Sequence, residues 1–321
     1  MPAFEMSLEQ LKNYKGINPC PADFDEFWDR SLKELDSIDP KVEITPVPFK
    51  NKIADCFDLY YTSTKGARIY SKLLIPKNLK GKAPALIQFH GLSIASTDWS
   101  NLFGFVAEGF VVAAMDCRGQ GGKSDDAGGV PGTTFTTPFM RGMEGEPENL
   151  YYRDVFLDTA LLARIIMALP EVDKTRVAVQ GGSQGGALAL VCASLVPEIA
   201  LCAAQYPYLC DYQRIWNMDL DVNSYTGLRY YFRSFDPRHE RETEIFTKLG
   251  YIDVQNLVKR IRAKVMMFTG LMDTTCPPST QFAAYNKIVS EKQHVIYPDY
   301  GHEYTQSQRD TEFEFLSELT K

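Results

Sequence analysis

The chain has 321 residues, of which 45% are hydrophobic and 23% are charged, and its formal net charge is −7 at pH 7. A chain of this length and composition can bury a large core, which is typical of a folded globular protein. The acidic balance and the absence of basic runs exclude a general electrostatic attraction to nucleic acid or to an anionic membrane surface.

The start of the chain and its cysteines predict the compartment. Residues 1–13 lack the apolar core of a secretion signal, and no stretch approaches the ~20 apolar residues that span a bilayer. The seven cysteines are an odd number with scattered spacings, which favours reduced thiols over a disulfide framework. We therefore expect a cytoplasmic protein.

Apolar runs and helical periodicity predict an alternating α/β chain. The predicted strands lie at about 53–62, 67–75, 84–90, 109–115, 176–181, 199–206, 264–270 and 294–298. The predicted helices lie at about 23–38, 98–107, 151–169, 184–195, 276–289 and 303–320. Several strands are continuous apolar runs, as expected when helices cover both faces of a mostly parallel sheet. We predict one domain over residues 1–321, with an N-terminal helical extension at about 1–40.

Two segments interrupt this alternation. The first, at about 121–150, includes Gly128-Gly129-Val130-Pro131-Gly132 and is typical of a functional or mobile loop. The second, at about 210–260, carries many aromatic residues, and we expect a helical insert there. Such an insert is compatible with a pocket lining and equally with core or subunit interface. Tyr208, directly before it, is our candidate for a pocket wall.

A nucleophile is predicted where a strand turns into a helix. Gly181-Gly182-Ser183-Gln184-Gly185 follows the apolar run 176–180 and precedes the helical run from Ala187 to Ala193. Glycines two before and two after the serine are required when the turn is strained and packed against its neighbours. The short pattern also occurs in purely structural turns, but its position between strand and helix makes Ser183 the candidate nucleophile.

A base and an acid are predicted farther along the chain. A serine hydroxyl needs a base within hydrogen-bond reach and a group that orients this base. His302 and Asp273 each follow a predicted strand, as Ser183 does, and open parallel sheets collect their catalytic groups at these strand ends. The order Ser183, Asp273, His302 is that of α/β-hydrolases. Asp299 and Asp116 are the rival acids.

Three motifs narrow the class of hydrolase. They are Arg118-Gly119-Gln120, Gly181-Gly182-Ser183-Gln184-Gly185-Gly186 and Gly301-His302-Glu303. Through them nearly the whole chain resembles the acetyl xylan esterase and cephalosporin C deacetylase family of α/β-hydrolases. The resemblance implies the α/β-hydrolase fold, with Ser183 as nucleophile, Asp273 as acid and His302 as base. It also implies a small acetylated substrate, such as acetylated xylo-oligosaccharides or cephalosporin C, and a ring-like homohexamer.

Two main-chain groups are predicted to form an oxyanion hole. Acyl transfer needs donors aimed at the oxygen that becomes negative, and each is worth ~3 to 4 kcal/mol of transition-state stabilisation. The turn supplies the N–H of Gln184, and the loop after His90-Gly91 can supply that of Leu92. The family usually carries tyrosine at this second position, so Leu92 keeps the N–H but removes an aromatic wall and a hydroxyl. We expect Leu92 to contact the substrate.

Arg118, which begins Arg118-Gly119-Gln120, is predicted to brace loops near the site. A guanidinium has five donors and can fasten several carbonyls or carboxylates at once. We consider Asp116, Asp154 and Glu303 as its partners. The alternative is that Arg118 binds an anionic substrate group.

No metal or cofactor is expected. Cysteine pairs with finger spacing, an HExxH motif, a P-loop and a complete dinucleotide fingerprint do not occur in the sequence, and acyl transfer through a serine needs no cofactor. Three alternatives to an acetyl esterase are open. They are another α/β-hydrolase, such as a general short-chain esterase or an oligopeptidase-like enzyme, a non-catalytic binding module, and a thiol enzyme that uses Cys276 or Cys117.

Overall fold

One mixed sheet forms the centre of the computed structural model, which describes residues 5–127, 129 and 137–321. Nine strands lie in this described part: β1 (Glu43–Val47), β2 (Ala54–Thr62), β3 (Arg68–Pro76), β4 (Ala83–Phe89), β5 (Val111–Met115), β6 (Val172–Gly182), β7 (Leu201–Gln205), β8 (Lys264–Gly270) and β9 (Lys292–Tyr297). Their spatial order is β1-β2-β3-β5-β4-β6-β7-β8-β9. The pairs β1–β2, β2–β3 and β3–β5 are antiparallel. The pairs β5–β4, β4–β6, β6–β7, β7–β8 and β8–β9 are parallel.

Helices connect the parallel strands. The described part contains α1 (Leu8–Asn13), α2 (Phe24–Asp36), α3 (Phe103–Ala107), α4 (Tyr151–Ala168), α5 (Gln184–Leu195), α6 (Tyr212–Asn217), α7 (Gly227–Phe235), α8 (Glu242–Leu249), α9 (Val254–Leu257), α10 (Pro278–Lys287) and α11 (Gln308–Leu316). Within these residues no helix combines the length and the apolar composition needed to cross a membrane.

Side-chain alternation along the strands separates two cores. On β4, Ala85 and Ile87 face the larger core, which also holds side chains of α2, α4 and α5. Leu86 lies between them and faces the smaller core, which includes Val106 of α3 and Phe315 of α11. Because successive side chains of a strand point to opposite faces, a strand covered by helices on both faces is apolar throughout. The continuous apolar runs of the sequence are explained by this burial.

One short strand was not predicted from the sequence, and one short helix lies within the predicted N-terminal helical extension. The strand β1 lies at the sheet edge, pairs with β2, and exposes its first four residues. It therefore has no apolar run, and Pro46 is tolerated because an edge strand has a free side. The helix α1 is six residues long and begins at a capping box formed by Ser7 and Gln10.

Two predicted segments differ from the described structure or fall outside it. The last helix begins at Gln308 rather than at about 303, because the residues after His302 form a loop. Of the stretch Gly128–Gly132, only Gly129 belongs to the described residues, so the prediction of a loop there stays a prediction.

The segment between β7 and β8 carries helices α6 to α9, and its aromatic side chains are mostly core. Tyr225, Tyr231 and Phe232 are buried, whereas Tyr230 is 53% exposed. The sequence left two roles open for these aromatic residues, a pocket lining or a core and subunit interface. The buried ones form core.

The N-terminal segment is anchored to the start of this helical region by one carboxylate. The Tyr14 hydroxyl donates to Asp211 Oδ2 at 2.7 Å, and the main-chain N–H groups of Ile17 and Asn18 donate to Asp211 Oδ1. Asp211 is fully buried and directly precedes α6, so these bonds fix the N-terminal segment to the start of that helix.

Candidate active site

Ser183 occupies a strained turn between β6 and α5. Its backbone has φ 57° and ψ −119°, a left-handed conformation that costs a non-glycine residue about 1–3 kcal/mol. The turn is held because the Ser183 N–H donates to the Gln205 carbonyl at 3.0 Å and the Ser183 carbonyl accepts from the Tyr208 N–H at 3.1 Å. A Cβ on Gly185 would lie 2.1 Å from the Phe89 carbonyl oxygen, which explains the glycine two residues after the serine.

The structure brings Ser183, His302 and Asp273 into one hydrogen-bonded chain. His302 Nε2 lies 2.9 Å from Ser183 Oγ, and His302 Nδ1 lies 2.8 Å from Asp273 Oδ2. Asp273 is fully buried. Since a carboxylate accepts only, the imidazole carries its proton on Nδ1 and leaves Nε2 free to accept from the serine hydroxyl.

The orientation of Asp273 is fixed by three further donors. Its Oδ1 accepts from the main-chain N–H groups of Thr275 and Cys276 at 2.9 and 2.8 Å. Its Oδ2 accepts from Gln281 Nε2 at 3.2 Å in addition to His302. Gln281 was not predicted from the sequence. It lies on α10, and a distance of eight residues from Asp273 gives no local signal.

The two rival acids lie elsewhere. Asp116 accepts from the main-chain N–H groups of Ser96 and Lys123, each at 2.8 Å, and so closes a loop. Asp299 is exposed. Within the described residues, Asp273 is the acidic residue that contacts the His302 ring.

The two predicted oxyanion donors are the main-chain N–H groups of Leu92 and Gln184. Across the described ranges, neither the Leu92 nor the Gln184 main-chain N–H donates a hydrogen bond to a protein acceptor. Gln184 is the first residue of the twelve-residue helix α5, so its N–H points out of the positive end of the helix dipole. An anionic oxygen beside Ser183 would be stabilised there.

The Gln184 side chain ties the turn to the Arg118-Gly119-Gln120 loop. Its Oε1 accepts from Gln120 Nε2 at 2.8 Å and from the Tyr152 hydroxyl at 2.7 Å. Its Nε2 donates to Gln120 Oε1 at 3.1 Å. Gln120 Oε1 also accepts from the Ser93 N–H, next to Leu92. Gln120 thus connects both loops that carry the candidate oxyanion donors.

Arg118 is the first residue of this loop. Its main partner differs from the three acidic residues that we considered from the sequence. Its Nε and Nη2 bond both oxygens of Asp158 at 2.7 and 2.5 Å, and Nη2 also donates to Thr64. Of the three expected partners, Asp154 lies 3.7 Å from Nη1, whereas Asp116 closes its own loop. Glu303 is exposed and accepts from the Gly301 N–H.

Asp158 was not predicted as the partner of Arg118, because an acidic residue in a mostly apolar helix carries no local sign that it pairs with a distant loop. A signal was present, since Asp154 and Asp158 are four residues apart in α4, on one helix face. Both are almost fully buried. Two buried carboxylates on one helix face need a cation from a neighbouring element to compensate their charge.

Arg118→Lys should lower stability before it changes the chemistry. Lysine cannot reproduce the bidentate contact with Asp158, and a buried carboxylate left partly unpaired costs about 3 kcal/mol. We expect a thermal midpoint lower by about 5 °C, with an esterase rate per folded molecule close to that of the wild type. A normal midpoint together with lost activity would show that Arg118 acts on the substrate instead.

Tyr208 does not line open space, so its prediction as a pocket wall is wrong. Its side chain is fully buried, and its hydroxyl donates to the Ser224 carbonyl at 2.5 Å. Tyr206, two residues earlier, contacts the site instead. Its ring meets the His302 ring edge-on, with centroids 4.7 Å apart. Leu92 is half-buried and packs against the larger core.

The cysteines considered as nucleophiles are poorly suited to that role. Cys276 and Cys117 are fully buried, and burial raises the pKa of both thiols well above the usual value. A thiolate is the reactive form of cysteine, and burial disfavours it at both positions. Cys276 lies beside Ser183, but its sulfur is enclosed by the protein.

Comparison with known proteins places the chain in a family. The profile of the acetyl xylan esterase family (AXE1) matches residues 1–319. Acetyl esterase Axe7A of Xylanibacter ruminicola is 30% identical over 322 residues, which cover 98% of this chain and 70% of that protein.

Two solved structures are similar over the whole chain. Acetyl xylan esterase 1 from Thermoanaerobacterium sp. JW/SL YS485 is 53% identical, with a TM-score of 0.97 over 99% of this chain and 100% of that one. An acetyl xylan esterase from Paenibacillus sp. R4 is 32% identical, with a TM-score of 0.93 over 98% and 99% of the two chains. The predicted family resemblance and fold are confirmed. The chain belongs to the acetyl xylan esterase family and is an α/β-hydrolase that acts on carboxylic esters.

Proposed function

We propose that this protein is a serine esterase that removes acetyl groups from O-acetylated sugars, in particular acetylated xylo-oligosaccharides, and from small acetyl esters such as cephalosporin C. The observation that carries the proposal is the hydrogen-bonded chain from Ser183 through His302 to Asp273 in a member of the acetyl xylan esterase family. The names of the similar proteins support the acetyl and xylan parts of the substrate.

The proposed reaction passes through an acetyl-enzyme. His302 Nε2 takes the proton of the Ser183 hydroxyl while Oγ attacks the acetyl carbonyl carbon, and the carbonyl oxygen becomes negative. The N–H groups of Gln184 and Leu92 hold this oxygen. The bond to the sugar oxygen then breaks, and His302 gives its proton to the departing alcohol. Water repeats the sequence on the acetyl-enzyme and releases acetate.

Asp273 has two roles in this proposal. It keeps the His302 proton on Nδ1, and it stabilises the positive charge that the imidazole gains when it takes the serine proton. The three donors that fix Asp273 leave the carboxylate no other orientation. Asp273 thus enters the reaction already in place.

The length of the acyl chain tests the proposal. We expect kcat/KM for p-nitrophenyl acetate to exceed that for the octanoate ester by about 100-fold, since the family acts on acetyl groups and each excluded methylene costs part of the transition-state binding. Acetylated xylo-oligosaccharides should release acetate, and peptide amides should not be cleaved. Comparable hydrolysis of long-chain esters would count against an acetyl-specific pocket, and cleavage of peptide amides would favour the second candidate, an oligopeptidase-like enzyme.

We also propose an oligomeric state, a location and a reactive serine. The homohexamer rests on the family resemblance alone, and the mass in solution tests it. The cytoplasmic location rests on the sequence, and cell fractionation tests it. A non-catalytic binding module would fail to react with a serine-directed phosphonate, whereas we propose that Ser183 is labelled.

A further inference from the structure

A buried polar network lies directly behind the Ser183 turn. Gln205 ends β7, and its main-chain carbonyl is the group that accepts from the Ser183 N–H at 3.0 Å. Its side-chain Nε2 donates to Glu312 Oε2 at 2.7 Å. Glu312 lies on α11, which follows the His302 loop, and is only 6% exposed. Glu312 therefore links the helix behind the proposed base to the strand end that anchors the proposed nucleophile.

Two oxygens of this region have no hydrogen-bond partner within the described residues. They are Gln180 Oε1 and Glu312 Oε1, on side chains that are 8% and 6% exposed. A buried acceptor without a donor is costly and is rare in folded proteins. Both residues line one cavity of about 450 Å³ on the α3 and α11 face of the sheet. Gln180 lies on β6, adjacent to β7, which carries Gln205.

A single proton would satisfy both oxygens. An ionised Glu312 offers two acceptors, of which only Oε2 has a donor. A proton on Oε1 turns that atom into a donor, and Gln180 Oε1 is an acceptor that lacks one.

The electrostatic surroundings favour this proton. Burial raises the pKa of Glu312 from 4.5 to about 7, against the hydrogen bond from Gln205 and the positive charge of Arg309. The other titratable groups that face Glu312 are Asp310 on its own helix, and Tyr206 and Cys202 on the β7 side. The polar side chains that the described strands present to the cavity are the amides of Gln88, Gln180 and Gln205.

We propose that Glu312 is a positioning residue for Ser183. In its protonated form it donates to Gln180 and accepts from Gln205, and so holds the carbonyl that anchors the strained Ser183 turn. When Glu312 loses the proton, the bond to Gln180 is lost, and the charged carboxylate draws toward solvent and pulls on Gln205. The proposal rests on the proposed role of Ser183 as nucleophile.

The pH dependence of Glu312→Gln tests the proposal. Glutamine mimics the protonated acid, since its oxygen can accept from Gln205 and its amide can donate to Gln180 at every pH. The ratio of kcat/KM for p-nitrophenyl acetate, variant over wild type, should be near one at pH 6. It should rise to about three to ten at pH 9, the range expected for one lost hydrogen bond. Any pH effect that is common to both proteins cancels in this ratio.

Glu314→Gln is the matched control, because Glu314 lies on the same helix and is exposed. Its ratio should stay near one throughout. Glu312→Leu removes both bonds and should lower kcat about tenfold at pH 6, with KM unchanged. A flat ratio for Glu312→Gln would overturn the proposal, whether or not the leucine variant folds. If acetyl esters are hydrolysed through Ser183 and the ratio is flat, this inference fails while the proposed function stands.

Discussion

Ser183→Ala should lower kcat for acetyl esters by about 100,000-fold to 1,000,000-fold, the largest effect expected of any single substitution in this chain. The Ser183 hydroxyl is the only group in contact with His302 Nε2 among the described residues, so its loss leaves the base without a proton to take. The rate that persists should come from the Leu92 and Gln184 donors and from substrate binding. Steady-state kinetics with p-nitrophenyl acetate measure the loss.

Stability should hardly change in this variant. The hydroxyl makes one side-chain hydrogen bond to His302, and the strained backbone of the turn is the same with alanine. We expect the thermal midpoint to stay within about 2 °C of the wild type. Ser194→Ala is the matched control, since it removes a hydroxyl from α5, the helix that follows the turn, and the described bond of this hydroxyl goes to the Leu190 carbonyl. Full activity in Ser183→Ala, with loss in a Cys276 variant, would establish the thiol alternative.

The parts of the site that were predictable lie at strand ends. Ser183, Asp273 and His302 follow the strands β6, β8 and β9, and the sheet is parallel there. A parallel arrangement places all carboxyl ends at one edge, so three local patterns were enough to predict one site. The local glycine pattern added the turn, since Gly185 approaches the Phe89 carbonyl too closely for a side chain.

Contacts that depend on how helices pack could not be predicted in this way. The pairing of Arg118 with Asp158 joins a loop after β5 to the middle of α4, and neither residue's neighbours in sequence specify the other. Gln281 and Glu312 approach the site from α10 and α11. Helix position and rotation are set by packing over the whole face of the sheet, which a single sequence does not reveal.

The tyrosines after β7 show the same limit on a smaller scale. Tyr206 faces the site and Tyr208 faces the core, although both follow the same strand. Along a strand, side chains alternate and a direction can be predicted. Here the strand ends at Gln205, and Tyr206 has a positive φ of 33°. The chain direction changes at that residue, so the rule for strands no longer decides which tyrosine faces the substrate.

Asp273→Asn should lower kcat by about 10,000-fold through a change in the tautomer of His302. The N–H groups of Thr275 and Cys276 both donate to Oδ1, so the asparagine must keep its carbonyl oxygen there. Its amide NH2 then occupies the position of Oδ2, 2.8 Å from His302 Nδ1 in the wild type. A donor at that position requires Nδ1 to accept, and the ring proton moves to Nε2. Nε2–H faces Ser183 and can no longer take its proton.

Asp299→Asn separates this mechanism from a general loss of negative charge near the base. Asp299 is exposed and lies three residues before His302 in the sequence, so the same substitution there should leave kcat within about twofold of the wild type. The imidazole N–H resonances in ¹H–¹⁵N spectra report the tautomer directly, and we expect the proton on Nε2 in Asp273→Asn only. Because Ser183 stays intact, a serine-directed phosphonate should still react, but far more slowly. An Nδ1 proton in this variant, combined with the same loss of rate, would mean that Asp273 acts through charge and not through orientation of the ring.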